Sequence, residues 1–207
     1  MDQIKLFDRI SNVSLYILAF LTPLWFLPIT QDMIGFQKQT LLVILVFLAI
    51  ISWLAKTISQ GEVNITMSWL HIPVLAIVVI SAISTITSVW RGGSLWGWPF
   101  NVHDSFITIL FFALLYFFVA NVIREQKDVI WLIFLSTASV AVAGLYAVLQ
   151  SYSLFVIPFV FAKSASFNTI GSISSVATLA AVFLPLSMML ACTLKNGLRR
   201  WFWAFAA

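Results

Sequence analysis

Three cations, Lys38, Arg91 and Lys163, each border a long uncharged stretch of this chain. A guanidinium group can hold a phosphate through two parallel hydrogen bonds, whereas an ammonium group acts as a compact point charge. Arg91 also precedes a pair of glycines, Gly92 and Gly93, where the backbone can approach a ligand closely. These residue types predict a site for an anionic head group that carries phosphate, with Arg91 as its main contact. The alternative left open is that all three side chains only anchor helix ends.

Five further residues in the same connecting segments are candidates to support this site, namely Asn101, His103, Asp104, Asn168 and Gly171. Asp104 is predicted to be the N-cap of a helix, and His103 an exposed loop residue. Asn168 and Gly171 are predicted to form the turn before the last helix, whose amino terminus can also hold an anion. The sequence contains no nucleophile-elbow, phosphate-loop, paired-histidine or acidic-dyad motif, so we assign no catalytic residue, metal or cofactor.

Apolar residues dominate the segments that must position these groups. The chain is 62% hydrophobic and 9% charged, against roughly 25% charged in an average soluble domain. Its windows without Asp, Glu, Lys or Arg are 10–31, 39–55, 63–90, 105–123, 129–162 and 164–194. A helix of about 20 apolar residues crosses a bilayer, and hydrocarbon excludes unpaired backbone groups. We therefore predict an all-α polytopic transmembrane bundle with six complete spans.

This prediction treats residues 1–207 as a single membrane domain without a soluble domain. The predicted helices are Ser11–Phe26, Thr40–Ile58, Pro73 to just before Arg91, Ser105–Ile123, Val129–Gln150 and Ser172–Leu194. Residues 94–104 are expected to form an outer loop, and residues 151–162 to lie at the outer interface without crossing again. A seventh apolar run begins at Trp201 and stops at Ala207, so we expect the amino-terminal part of a longer protein.

The basic residues orient the predicted bundle. With the amino terminus inside, eight of them face the cytoplasm: Lys5, Arg9, Lys56, Arg124, Lys127, Lys195, Arg199 and Arg200. Lys38, Arg91 and Lys163 then lie outside. Short cytoplasmic loops accumulate Lys and Arg, so a cytoplasmic amino terminus is predicted. The net charge of +4 reflects this topology and contact with lipid head groups rather than nucleic acid. His71 and His103 fall on opposite faces, which argues against a histidine-based metal site.

Several motifs resemble the amino-terminal half of the O-antigen ligase and polymerase family. They are Thr22-Pro-Leu-Trp-Phe-Leu-Pro28, Gly35-Phe-Gln-Lys38, Ser94-Leu-Trp-Gly-Trp-Pro-Phe-Asn101, Asp104-Ser-Phe-Ile-Thr108, Ser166-Phe-Asn-Thr-Ile-Gly171 and Leu184-Pro185. Where the family has an arginine after the loop of small residues, aromatic residues and glycine, this chain has either Asn101 or His103 in its place. The resemblance covers most of the chain.

The resemblance implies a bacterial inner-membrane glycosyltransferase of cell-surface polysaccharide or lipopolysaccharide biosynthesis. Such an enzyme transfers a glycan from a polyprenyl pyrophosphate carrier to an acceptor glycolipid or protein on the outer side. The resemblance therefore implies that Arg91, Lys38 and Lys163 bind the pyrophosphate of this carrier. Further catalytic residues of the family lie in its other half, so we expect these 207 residues alone to be inactive.

Two other classes of protein remain open at this point. One is a transporter or flippase for an anionic lipid or solute, which predicts ionisable residues at mid-membrane depth. The predicted helices contain none. The other is a structural membrane subunit whose outer polar face docks a partner.

Overall fold

The computed structural model describes residues 2–28, 34–61, 68–97, 102–123, 125–163 and 167–193. These segments are helical and contain no β-strand. The α-helices are α1 (Asp2–Leu24), α2 (Gly35–Gln60), α3 (His71–Thr87), α4 (Arg91–Trp96), α5 (Phe106–Val122), α6 (Gln126–Ser151) and α7 (Ile173–Thr193). One turn of 3-10 helix covers Val160–Lys163. The all-α prediction is therefore confirmed.

Three of these helices are long and apolar enough to cross a membrane, namely α2, α6 and the part of α7 from Ile173 to Cys192. The apolar helices α3 and α5 are shorter, with 17 residues each. Their composition indicates a membrane-embedded protein, because these helices expose apolar side chains over most of their surface. The count of six complete spans stays a prediction.

The chain divides into two compact units. Unit 1 consists of Met1–Leu18 and Pro28–Glu125, and unit 2 consists of Ala19–Leu27 and Gln126–Ala207. Helix α1 therefore contributes its first part to unit 1 and its last part to unit 2. The prediction that residues 1–207 form one membrane domain stays a prediction.

In unit 1, α2 packs against α1 and α5. Its core contains the buried side chains of Leu18, Leu42 and Val46, against which further apolar residues of α2 and α5 pack. Near the start of α1, Asp8 pairs with Lys56 at the end of α2 at 2.5 Å. Because the start of one helix meets the end of the next, α1 and α2 run antiparallel.

Helices α3 and α5 also run antiparallel. Buried His71, the first residue of α3, lies 3.1 Å through Nδ1 from the Tyr116 hydroxyl in the second half of α5. The His71 ring stacks on Phe117, with ring centroids 4.8 Å apart. The start of α5 instead contacts the start of α2 through Gln39, whose amide donates to Ser105 at 3.0 Å. One end of unit 1 thus gathers the start of α2, the end of α3, all of α4 and the start of α5.

In unit 2, α6 packs along α7. The Ser139 hydroxyl on α6, fully buried, donates to the carbonyl of Phe20 in α1 at 2.5 Å. Gln150, near the end of α6, donates through Nε2 to the carbonyl of Ala162 at 2.8 Å. Phe167 packs edge-on against Phe26, with ring centroids 5.8 Å apart. These contacts fix the segment between α6 and α7, whose described residues form turns and the 3-10 helix.

Several helix boundaries differ from the sequence prediction, and α2 begins at Gly35 rather than Thr40. Helix α1 begins at Asp2 rather than Ser11, because charged residues can extend a helix by further turns beyond its apolar part. The first three residues of the predicted outer loop, 94–96, belong to α4 instead. This helix ends where Gly97 adopts φ 75°. The N-cap of α5 is Ser105 rather than Asp104, because the Ser105 hydroxyl accepts the N–H of Thr108.

Candidate functional site

A partly open cavity of about 630 Å³ lies in unit 1, at the end where α3, α4 and α5 meet. Helix α3 and the residue after it contribute Ile80, Ser81, Ser84, Thr85 and Ser88. The segment around α4 contributes Val89, Trp90, Gly93, Ser94 and Gly97, and the start of α5 contributes Asp104, Ser105, Phe106 and Ile109. The volume falls within the range of about 300–1,000 Å³ that is usual for small-molecule sites.

The hydroxyl groups on α3 reach the cavity because of their spacing. Ser81, Ser84, Thr85 and Ser88 follow the i, i+3, i+4, i+7 pattern that places side chains on one face of a helix. The rest of α3 is apolar and largely exposed. This polar stripe is visible in the sequence and was the available signal for the cavity.

Ser88 joins the end of α3 to α4. Its backbone is extended, which ends the helix. The Ser94 hydroxyl of α4 lies 2.6 Å from the Ser88 hydroxyl. The backbone N–H of Trp90 donates to the same Ser88 oxygen at 3.2 Å. Ser88 thereby fixes both the start of α4 and the backbone of Trp90 beside the cavity.

Only one residue of the glycine pair is sterically required in this structure. A Cβ on Gly93 would overlap the six-membered ring of the Trp90 indole. A Cβ on Gly92 would lie at an ordinary contact distance of 3.9 Å from Trp90 Nε1. Gly93 therefore permits the Trp90 ring to lie over α4, where it forms part of the cavity wall.

A buried hydrogen-bond network fixes the α5 side of the cavity. Gln39 Nε2 donates to Ser105 Oγ at 3.0 Å and to Thr108 Oγ1 at 2.8 Å. Both hydroxyls also bond to the Val102 carbonyl, at 2.9 and 2.8 Å. Gln39 was not among the predicted site residues, because the predicted second helix begins at Thr40 and leaves Gln39 in the turn before it. A glutamine at the start of an apolar helix requires a partner when buried, which was the available signal.

The structure places two of the three predicted pyrophosphate contacts at the same end of unit 1. Arg91 is the first residue of α4 and follows Trp90 directly; its side chain is exposed and lies outside the cavity lining. Within the described segments, the Arg91 side chain makes no hydrogen bond or ion pair. Lys38 is half-buried in the first turn of α2, next to Gln39.

Lys163 belongs to unit 2, where it ends the 3-10 turn with an exposed side chain. Pyrophosphate binding by Arg91, Lys38 and Lys163 stays a prediction.

The predicted supporting residues are also divided between unit 1 and unit 2. Asp104 is exposed and lines the cavity, His103 is exposed in the turn before α5, and Asn101 lies outside the described residues. Asn168 and Gly171 form the predicted turn before α7, because the Gly171 N–H donates to the Asn168 carbonyl at 3.2 Å. Gly171 has φ 130°, a conformation that favours glycine.

Two polar groups in this turn of unit 2 are buried. Asn168 is fully buried, and its Oδ1 accepts the N–H of Ile170 at 3.0 Å. Asn168 Nδ2 and Thr169 Oγ1 have no hydrogen-bond partner among the described residues. Ser172 caps α7, since its hydroxyl accepts the N–H of Ser175 at 3.1 Å. The side chains of Asn168 and Thr169 are thus shielded from solvent, and Asn168 stabilises the turn itself through its bond to Ile170.

The described residues contain no group of three His, Cys, Asp or Glu side chains that could hold a metal ion. Fold and site together define the class: an all-helical protein with apolar helices of membrane-spanning length and a hydroxyl-lined cavity at one end of its first unit. Comparison with protein-family models, with curated proteins and with solved structures finds no match for the chain. The family resemblance therefore rests on the sequence motifs alone.

Proposed function

We propose that this chain is part of a bacterial inner-membrane glycosyltransferase of the O-antigen ligase or polymerase type. It spans the membrane six times with a cytoplasmic amino terminus, and it takes a glycan from a polyprenyl pyrophosphate carrier. The acceptor is a glycolipid or protein on the outer side. The observation that carries the proposal is the exposed Arg91 beside a hydroxyl-lined cavity, at the end of unit 1 that the charge distribution predicts to face outward.

The chemistry of the proposed reaction fits this arrangement. When a glycan leaves its carrier, negative charge accumulates on the departing pyrophosphate, and a positioned cation stabilises that charge. The guanidinium group of Arg91 suits this task because it can form two parallel hydrogen bonds to phosphate oxygens. Helix α4 begins with Arg91, directly after the lining residue Trp90, and is tied to α3 through Ser94 and Ser88.

A transporter or flippase is the second candidate, and one observation favours it. The hydroxyl stripe on α3 extends from Ser88 back to Ser81, two helical turns towards the middle of the helix. Such a stripe is a polar surface along which a head group could move. A flippase would bind the same carrier but leave the glycan attached, so product analysis separates the two functions.

Binding of undecaprenyl pyrophosphate to the purified protein in nanodiscs, followed by native mass spectrometry, tests the proposal. Arg91→Ala should weaken binding at least tenfold, because hydrogen bonds to charged groups contribute about 1.5–3 kcal/mol each. The matched control is Arg9→Ala, an exposed arginine of α1 at the other end of unit 1. The site assignment is wrong if replacing Lys38, Arg91 and Lys163 together by alanine in the full-length protein leaves carrier binding and glycan transfer unchanged.

A further inference from the structure

We infer that the cavity of unit 1 binds an uncharged sugar unit of the lipid-linked substrate, while the phosphates stay outside it next to Arg91. This inference rests on the function proposed above and divides its site into two parts. It assigns the cavity residues to sugar recognition, a role that the sequence analysis did not give them.

The charge of the lining separates the two parts. Among the described residues that line the cavity, none is Lys or Arg, and Asp104 contributes a carboxylate. A carboxylate disfavours a second anion nearby, so the lining is unsuited to pyrophosphate. It is suited to a ligand that donates hydrogen bonds, because an ionised carboxylate is an acceptor with several lone pairs. Sugar hydroxyl groups are such donors.

Two hydroxyl groups of the α3 stripe are available for this purpose. Within the part of the chain that the structure describes, the side-chain oxygens of Ser81 and Ser84 make no hydrogen bond. By contrast, Thr85 donates to a carbonyl of its own helix at 2.8 Å. A hydroxyl group that faces apolar surroundings without a partner is costly, whereas one that faces a hydroxylated ligand can both donate and accept.

The remaining walls fit the other faces of a sugar ring. The Trp90 indole presents a large aromatic surface with a polar N–H, and it is held where Gly93 leaves room for it. Phe106 and Ile109 add apolar surface on the α5 side. A sugar ring has apolar C–H faces and a polar rim, so a cavity with aromatic and hydroxyl walls matches it better than it matches a phosphate.

The experiment compares two kinds of carrier in nanodiscs: bare undecaprenyl pyrophosphate, and the same carrier bearing one glucose, galactose or N-acetylglucosamine. Asp104→Asn and, separately, Ser84→Ala should weaken binding of at least one sugar-bearing carrier about fivefold or more. Neither change should weaken binding of the bare carrier, whereas Arg91→Ala should weaken both kinds. The charge-matched control is Asp8→Asn, and the control for Ser84 is Thr87→Ala, an exposed residue of α3 outside the lining.

The possible results lead to different conclusions. If Asp104→Asn and Ser84→Ala weaken both kinds of carrier equally, the division of the site is wrong and the proposed function stands. If Asp104→Asn strengthens binding of the bare carrier without affecting the sugar-bearing ones, phosphate occupies the cavity and the inference is overturned. If the unsubstituted protein binds neither kind of carrier, the proposed function itself fails, and this inference with it.

Discussion

Replacing Gln39 by Met removes the link between the start of α2 and the start of α5 at nearly constant side-chain volume. Gln39 is 8% exposed and donates two hydrogen bonds, to Ser105 and Thr108. Net contributions are about 0.5–1.5 kcal/mol for an intramolecular hydrogen bond, and about 0.6 kcal/mol on average for side-chain bonds in one membrane protein. Two bonds therefore set an expected loss of about 1–2 kcal/mol.

A buried polar group that loses its only hydrogen-bond partner costs more free energy than this, but the substitution leaves no such group. Ser105 and Thr108 keep their mutual contact at 3.0 Å and their bonds to the Val102 carbonyl. Both hydroxyl groups thus stay satisfied after Gln39 is lost. A loss of about 1–2 kcal/mol changes the ratio of folded to unfolded protein by roughly 5- to 30-fold.

Equilibrium unfolding of the purified protein in mixed detergent micelles, followed by circular dichroism, measures this loss. Gln60→Met is the matched control, because Gln60 is exposed at the other end of the same helix, and it should stay within about 0.5 kcal/mol of the parent. Combining Gln39→Met with Thr108→Val should show a coupling energy of about 0.5 kcal/mol or more. If Gln39→Met and Gln60→Met lower the free energy of unfolding equally, or if the effects of Gln39→Met and Thr108→Val simply add, the hydrogen bonds of Gln39 do not stabilise the fold as described.

Three further predictions concern other parts of the chain. Ser139→Ala should lower the free energy of unfolding by about 0.5–1.5 kcal/mol, because it removes the bond to α1; Ser136→Ala, on the same helix, should have a smaller effect in the same unfolding assay. Gly93→Ala should displace the Trp90 indole and change its oxidation in hydroxyl-radical footprinting, and a similar change in Gly92→Ala would contradict the steric explanation. A periplasm-dependent reporter fused after Gly93 should be active, whereas an inactive reporter would show that the predicted orientation is reversed.

The length of the uncharged windows and their hydropathy were sufficient to predict the long helices. A membrane-embedded helix must form all its backbone hydrogen bonds internally and present apolar side chains to lipid. The boundaries were less predictable. Charged residues ended the predicted segments, yet α1 continues through Lys5 and Arg9, since a helix can extend past its apolar part. The six residues of α4 were also missed, because a single short turn of helix has no apolar periodicity to detect.

The cations of the candidate site were visible in the sequence because charges are rare in this chain. The cavity beside Arg91 was not identified, since it depends on contacts between residues far apart in sequence. Gln39 and Ser105 are 66 positions apart, and only the packing of α2 on α5 brings them together. The N-cap was assigned one residue too early because Asp104 and Ser105 are both good capping residues, and local preference alone does not choose between them.

The 17 residues of α3 and of α5 make each helix about 25 Å long, against a hydrocarbon core of about 30 Å. If these two helices span the membrane as proposed, they are shorter than an unperturbed hydrocarbon core, and lipid beside them would thin at a cost of fractions of a kcal/mol per Å. The cavity lies where the end of α3 meets the start of α5. On the proposed topology, such thinning would bring lipid phosphates towards this end of unit 1, and carrier binding should then be strongest in lipids with short acyl chains.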